Sequence, residues 1–143
     1  MKTFHQLWER TSKQYATTVA YYTADNEAVT YKQLAAQVRV LQKQCHEDHI
    51  IYIDGRALNW LTHAVAAWAT GKTVLFFDGQ IKPVHSCLDA LETKGAHAIF
   101  FTSGTTGQPK AIVRSTDFAL FEANAYVSDL QLTQNSLAVS QVF

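Results

Sequence analysis

A short polar segment bounded by two apolar runs constrains this chain more than any other feature. Residues 98–101 lead into it and residues 111–113 follow it, and every side chain in both runs is apolar. The β-branched Ile112 and Val113 favour a strand after the segment. We therefore predict a loop between two strands, formed by Thr102, Ser103, Gly104, Thr105, Thr106, Gly107, Gln108, Pro109 and Lys110.

The composition of this loop suits a bound polyanion. Its glycines allow positive φ and a close backbone approach, and successive N–H groups in such a turn can form an anion-binding nest. The hydroxyls donate hydrogen bonds, Lys110 adds a positive charge, and no carboxylate opposes them. It is not a Walker A loop, because Pro109 precedes the lysine and a strand follows. The alternative is a polar hairpin loop without a ligand, which the dense hydroxyls and the lysine disfavour.

The stretch 102–110 resembles the signature loop of the adenylate-forming (AMP-binding) superfamily. That group contains acyl-CoA synthetases, the adenylation domains of peptide synthetases, and luciferases. The family pattern T-S-G-[ST]-T-G-x-P-K-G is matched through Lys110, after which Ala111 stands where the family usually has glycine. Two weaker matches precede it in the expected order, at 29–34 and from Gly71 to Asp78.

The resemblance implies that the parent protein activates a carboxylate with ATP, forms an acyl-adenylate and passes the acyl group to coenzyme A or a carrier-protein thiol. Gly104 and Gly107 would shape the loop, and Thr102 would anchor its start. Magnesium would accompany ATP, held mainly through phosphate oxygens and water. Donors aimed at the departing pyrophosphate stabilise its growing charge. The resemblance assigns that role to Ser103, Thr105, Thr106 and Lys110, with Lys110 as the catalytic cation.

Length and composition limit the other classes of function. The chain has 143 residues, which suits one domain, and 48% are hydrophobic, which is enough for a core. Twelve basic residues balance twelve acidic residues, so no net charge attracts nucleic acid or anionic lipid. No run is long and apolar enough to span a membrane, and no signal peptide is evident. Cys45 and Cys87 make no C-x-x-C motif, so we expect reduced thiols and a cytoplasmic location.

Alternating helical and strand patterns predict an α/β fold, a mainly parallel sheet flanked by helices on both faces. A hairpin is expected at 19–22 and 28–31. The buried runs 50–53, 74–77 and 98–101 should share the sheet, with the helices at 32–47 and 57–70 against it. The remaining predicted helices are 3–15, 84–94 and 116–130, and further strands are predicted at 111–114 and 137–143. Gly71 is expected just after a helix.

Other candidate sites are weaker. Six histidines occur without a full zinc-ligand set at recognisable spacing, so we predict no metal site made by protein side chains. Ser103 lacks the G-x-S-x-G surround of a hydrolase nucleophile. Trp60 and Trp68, two turns apart on one helix, are assigned to the core.

Two departures from the family pattern suggest that residues 1–143 are a partial N-terminal ATP-binding domain. The segment between Asp78 and Phe101 is short, and everything that the family places after Phe143 is absent, including its C-terminal domain. We therefore expect no acyl-adenylate formation by this chain alone, and an apolar end at 139–143 that favours self-association. The alternative is a non-catalytic phosphate- or nucleotide-binding module, or a structural subdomain.

Overall fold

The computed structural model describes residues 3–44, 49–77, 96–102, 110–133 and 135–136. The described residues form four helices and six strands. In order they are α1 (Phe4–Gln14), β1 (Val19–Tyr22), β2 (Ala28–Thr30), α2 (Tyr31–Gln42), β3 (Ile50–Asp54), α3 (Trp60–Ala69), β4 (Thr73–Phe77), β5 (Ala96–Thr102), β6 (Lys110–Ser115) and α4 (Thr116–Asp129).

The predicted sheet is confirmed, with strand order β3-β4-β5-β6. The pairs β3–β4 and β4–β5 are parallel, and β6 joins β5 antiparallel. The continuous apolar runs that predicted buried strands therefore form the parallel part of the sheet. The predicted hairpin is also present, because β1 pairs with β2 antiparallel as a separate two-stranded sheet.

Helix starts follow from local capping. The side chains of Thr3 and Thr30 each accept a hydrogen bond from the backbone N–H three residues later. The side chains of Gln6 and Gln33 in turn accept a hydrogen bond from the backbone N–H of the cap residue. These are capping boxes, which satisfy N–H groups that a helix leaves unpaired at its start. The predicted cap at Thr3 is confirmed. Helix α2 ends at Gln42, earlier than the predicted residue 47.

Helix α3 is central to the fold because both of its sides are buried. Ala64 and Ala67 face the core cluster that contains Ile53 and Val74 of the sheet. Val65, Ala66 and Ala69 belong to a second cluster, shared with residues of α1 and α2. The helix is therefore apolar all round, which is typical of a helix that lies between two layers.

The packing of α2 corrects one prediction. Its Leu34 and Val38 are buried as their spacing predicted, but they pack in the cluster shared with α1 and α3. The main contacts of α2 are with α3, α1 and the β1–β2 hairpin, and not with the four-stranded sheet. The expectation that α2 lies against the sheet is wrong, because α3 already occupies that position.

Gly71 ends α3 as predicted. Its φ is +73°, in the left-handed region that favours glycine. Its N–H bonds to the Trp68 carbonyl at 3.0 Å, and the Lys72 N–H bonds to the Ala67 carbonyl at 2.9 Å. This pair of bonds is a Schellman motif, which satisfies the last carbonyls of the helix. The turn leads directly into β4.

The two faces of the sheet have different neighbours. Phe76 and Phe100 lie on the face that carries α3 and α4, whereas Leu75 and Ile99 point to the opposite face. Leu75 and Ile99 are each 0% exposed, so that face is covered as well. The α/β class with a mainly parallel sheet flanked by helices is confirmed. Several sequence-based predictions lie outside the described residues: Cys45, Cys87, the helix 84–94 and the strand 137–143.

Candidate functional site

The two ends of the predicted phosphate-binding segment lie side by side. Thr102 is the last residue of β5, Lys110 is the first residue of β6, and the two are register partners in the antiparallel ladder. The predicted connection between two strands is confirmed. Lys110 is exposed. The other predicted site residues lie outside the described residues, and they are Ser103, Gly104, Thr105, Thr106 and Gly107.

This segment leaves the sheet at the edge where the parallel strands end. Asp54, the last residue of β3, is the register partner of Phe77, the last residue of β4. Strand β5 runs in the same direction and ends at Thr102. In open α/β sheets, ligands bind outside the carboxyl ends of the strands. The two described ends of the segment, Thr102 and Lys110, therefore lie at the edge of the sheet where ligands bind in folds of this kind.

A cavity of about 550 Å³ lies between α3, α4 and the sheet. Its lining is mainly apolar and rich in aromatic rings, which is typical of small-molecule sites. It extends from Ala98 within β5 to Gly55 after β3. The other residues that line it are Arg56, Trp60, Trp68, Phe76, Phe77, His97, Phe100, Phe101, Arg114, Ala119, Glu122, Ala123 and Tyr126.

Aromatic contacts hold one wall of this cavity in place. Phe76 and Phe100, on neighbouring strands, stack with centroids 5.3 Å apart and planes inclined by 13°. The indoles of Trp60 and Trp68 meet Phe76 edge-on, at 5.9 Å and 6.2 Å. Such offset and edge-to-face pairs are the favourable geometries for aromatic rings. These contacts hold the four rings in place, so this side of the cavity is a rigid aromatic surface.

Charged groups occupy the rim of the cavity. Arg114 on β6 forms an ion pair with Glu122 on α4. Its guanidinium carbon also lies 5.9 Å from the Phe100 ring centroid and 5.6 Å from that of Phe118, in cation–π range. At the carboxyl end of β3, the Arg56 Nε lies 3.6 Å from an Asp54 carboxylate oxygen. Both arginines are therefore oriented by a carboxylate neighbour.

His97 is the titratable group most affected by this environment. Its imidazole stacks on the Trp68 indole with centroids 4.2 Å apart, and burial lowers the pKa of His97 from its ordinary value near 6.5. Burial has this effect because the charged imidazolium loses hydration. Burial therefore favours the neutral form of the His97 imidazole.

No sequence pattern predicted this cavity. Trp60 and Trp68 pack against the core cluster, as expected from their spacing, but they also line the cavity. Arg114 and Glu122 are eight residues apart on different elements, so no local pattern marks them as a pair.

Neither a metal cluster nor a membrane-crossing helix is found in the part of the chain that the structure describes. No group of three or more His, Cys, Asp or Glu side chains there could hold a metal ion. No helix there is both long and apolar enough to cross a bilayer.

The fold is that of the N-terminal portion of adenylate-forming enzymes. The O-succinylbenzoate coenzyme A synthetase MenE from Bacillus subtilis, in complex with AMP, superposes with a TM-score of 0.66 and 13% identity. The match covers 88% of this chain and 46% of that one. MenE in complex with ATP and a magnesium ion matches with a TM-score of 0.63. The resemblance first recognised in the segment 102–110 is thus confirmed for the fold.

A second solved structure and one curated relative give the same picture. The N-terminal domain of FACL13 from Mycobacterium tuberculosis matches with a TM-score of 0.57 and 15% identity, over 80% of this chain and 44% of that one. A D-alanine–D-alanyl carrier protein ligase from Lacticaseibacillus rhamnosus is 41% identical over 59 residues, which are 41% of this chain and 12% of the relative. No protein-family model matches the chain. The chain spans less than half the length of the proteins that it matches.

Proposed function

We propose that residues 1–143 are a partial N-terminal ATP-binding domain of an adenylate-forming ligase and that they supply its pyrophosphate-binding segment. The observation that carries this proposal is the register pair Thr102–Lys110 at the carboxyl end of β5. It brings the ends of a hydroxyl- and glycine-rich segment together at the edge where nucleotides bind in sheets of this kind. The family pattern of that segment supplies the chemistry.

Each proposed residue has a distinct task. The hydroxyls of Ser103, Thr105 and Thr106 donate hydrogen bonds to the β- and γ-phosphate oxygens, and Lys110 supplies a positive charge beside them. Charge grows on the pyrophosphate as the α-phosphorus is attacked, and donors fixed in advance lower the energy of that state. Magnesium, when bound with ATP, neutralises further phosphate charge. The remaining assignments are Thr102 as the anchor of the segment, and Gly104 and Gly107 as the residues that shape it.

The ligase as a whole would join a carboxylic acid to a thiol in the cytoplasm. The names of the matched proteins support two thiol acceptors, coenzyme A for MenE and a carrier protein for the D-alanine ligase. The carrier-protein acceptor is supported by the higher sequence identity, although over only 59 residues. The fold that this chain shares with MenE supports an acyl-CoA synthetase-like ligase.

Calorimetric titration of ATP with magnesium tests the proposed site. Lys110→Ala should weaken ATP binding by about tenfold or more, because a charge-assisted contact contributes roughly 1.5–3 kcal/mol. Lys32→Ala is the matched control, since it removes the same charge from an exposed position on α2. Its affinity should equal that of the wild type.

Two results would contradict the proposal. Equal ATP affinity in the wild type and in Lys110→Ala would remove Lys110 from the site. The second is a wild-type chain that binds no ATP although its circular dichroism spectrum shows the expected α/β content. This result would mean that the segment is not a nucleotide-binding site.

A further inference from the structure

We propose that the cavity between α3, α4 and the sheet binds a neutral, flat aromatic molecule that carries a hydroxyl or carbonyl group. This ligand is neither the nucleotide nor the acid that the ligase would activate. The family that the segment 102–110 resembles places its acyl-pocket segments after the position of Phe143, so the cavity is a second site with a ligand of its own.

The cavity leaves aromatic surface uncovered between two helices and the sheet. Phe100 lies on β5, an inner strand of the sheet, yet it remains 38% exposed. Phe76 lies nearly parallel to it, and the indoles of Trp60 and Trp68 meet Phe76 edge-on. A flat ring can extend this arrangement by offset stacking or edge contacts, whereas a puckered ring cannot. The volume of about 550 Å³ lies within the range of small-molecule sites, about 300–1,000 Å³.

The charges at the rim disfavour an anionic ligand. Both guanidinium groups of the described lining have a carboxylate partner, because Arg114 pairs with Glu122 and Arg56 with Asp54. A ligand carboxylate would approach these acidic groups and lose its hydration without gaining a cation of its own. A neutral ligand avoids both costs, so the paired rim selects against acids.

The His97 imidazole is the polar group that can orient such a ligand. It lines the cavity, where it stacks on the Trp68 indole and lies beside the Phe4 ring. Burial lowers the pKa of His97, which favours the neutral imidazole. A neutral imidazole has one N–H donor and one nitrogen acceptor. It can therefore donate to a carbonyl oxygen of the ligand or accept a hydrogen bond from a hydroxyl.

Binding of three probes to the purified chain in the absence of ATP tests the inference. 2-Naphthalenemethanol is flat and neutral, 2-naphthoate is flat and anionic, and decahydro-2-naphthalenemethanol is neutral with puckered rings. By calorimetry, 2-naphthalenemethanol should bind at least about tenfold more tightly than either of the others. In a proton–nitrogen correlation spectrum, it should shift the indole signals of Trp60 and Trp68, whereas that of Trp8, in a separate cluster, should not move.

Variants on α4 locate the binding. Ala123 lines the cavity from an exposed helix position, so Ala123→Phe fills the space and should weaken binding of 2-naphthalenemethanol at least about tenfold. Asn124→Phe adds the same ring to the next residue, which is exposed and outside the lining, and should leave the affinity unchanged. Ala119→Phe fills the cavity one helical turn away and serves if Ala123→Phe fails to fold.

A fourth probe tests the orienting role of His97. 2-Methylnaphthalene lacks the hydroxyl, so the wild type should bind it about fivefold more weakly than 2-naphthalenemethanol. His97→Phe keeps a flat ring against Trp68 and removes the ring nitrogens. In this variant the alcohol should lose its advantage. An unchanged preference for the alcohol would remove His97 from the site.

Three results would overturn the site as a whole. The first is affinity for 2-naphthoate or decahydro-2-naphthalenemethanol that equals or exceeds that for 2-naphthalenemethanol. The second is the absence of shifts at Trp60 and Trp68, and the third is equal affinity in the wild type and the filled variants. None of them affects the dependence of ATP binding on Lys110, which tests the proposed function separately.

Discussion

The indole of Trp68 lies flat on the imidazole of His97, with ring planes inclined by 15°, and its Nε1 donates a hydrogen bond of 2.8 Å to the His97 carbonyl oxygen. This double contact joins α3 to β5 at one end of the cavity. It also explains why the environment of His97 disfavours a charge. The Phe4 ring lies 5.7 Å from the imidazole centroid, so three aromatic groups meet at this point.

The lowered pKa of His97 predicts that the protein becomes less stable in mild acid. The unfolded chain binds a proton near pH 6.5, whereas the folded chain resists it, so the unfolding free energy falls as pH drops below about 6.5. Above that pH, His97 is neutral in the unfolded chain as well, so its burial does not lower the free energy of unfolding. Urea unfolding across this range should show a shallower pH dependence for His97→Gln than for the wild type.

The control for this measurement is His49→Gln, which removes an exposed imidazole. It should retain the wild-type pH dependence. Identical pH dependence in the wild type and His97→Gln would show that burial of His97 has no thermodynamic effect.

Gly71→Ala should destabilise the fold by about 1 kcal/mol, because a side chain at positive φ is strained. The φ of Gly71 is +73°, and a Cβ atom there would meet nothing within 4 Å, so the cost comes from the backbone and not from a clash. Gly71→Asn should cost less, since asparagine tolerates this conformation better. Thermal unfolding of the two variants gives the comparison, and a larger loss for Asn would contradict the explanation.

Val38→Ala should cost about 2 kcal/mol, since it deletes two buried methyl groups between α2 and α3. Val38 is 0% exposed, whereas Val40 on the same helix is 58% exposed. Val40→Ala is therefore the matched control and should change stability by less than about 0.5 kcal/mol. Equal costs in urea unfolding would mean that α2 does not pack against α3 through this face.

The purified chain should show no carboxylate-dependent exchange of pyrophosphate into ATP. Acyl-adenylate formation needs groups around both the α-phosphate and the carboxylate, held in alignment. The segment 103–110 is proposed to contact only the departing pyrophosphate, and the chain covers 46% of the MenE structure. The assay should include aliphatic, aromatic and amino acids. Exchange that depends on an acid and disappears in Lys110→Ala would contradict this prediction.

Local sequence patterns determined much of the fold. The apolar runs that became β3, β4 and β5 are continuous, and this composition is typical of strands in a parallel sheet. Gly71 marked the end of α3 because few other residues adopt its φ at low cost. The polar segment between two apolar runs predicted the connection from β5 to β6, since β-branched residues follow Lys110. Each of these features depends on the conformation of a few neighbouring residues.

Only the tertiary structure decided which surfaces meet. The apolar face of α2 predicts that this helix packs against another element, but it does not identify that element. In the structure the partner is α3, which packs on the sheet with its other side. Arg114 reaches Glu122 because β6 and α4 pack on each other, and Trp60 and Trp68 line a cavity because α4 lies across from α3. The spacing of apolar residues along a helix predicts which of its faces is buried. The element that covers this face depends on packing between segments far apart in the chain.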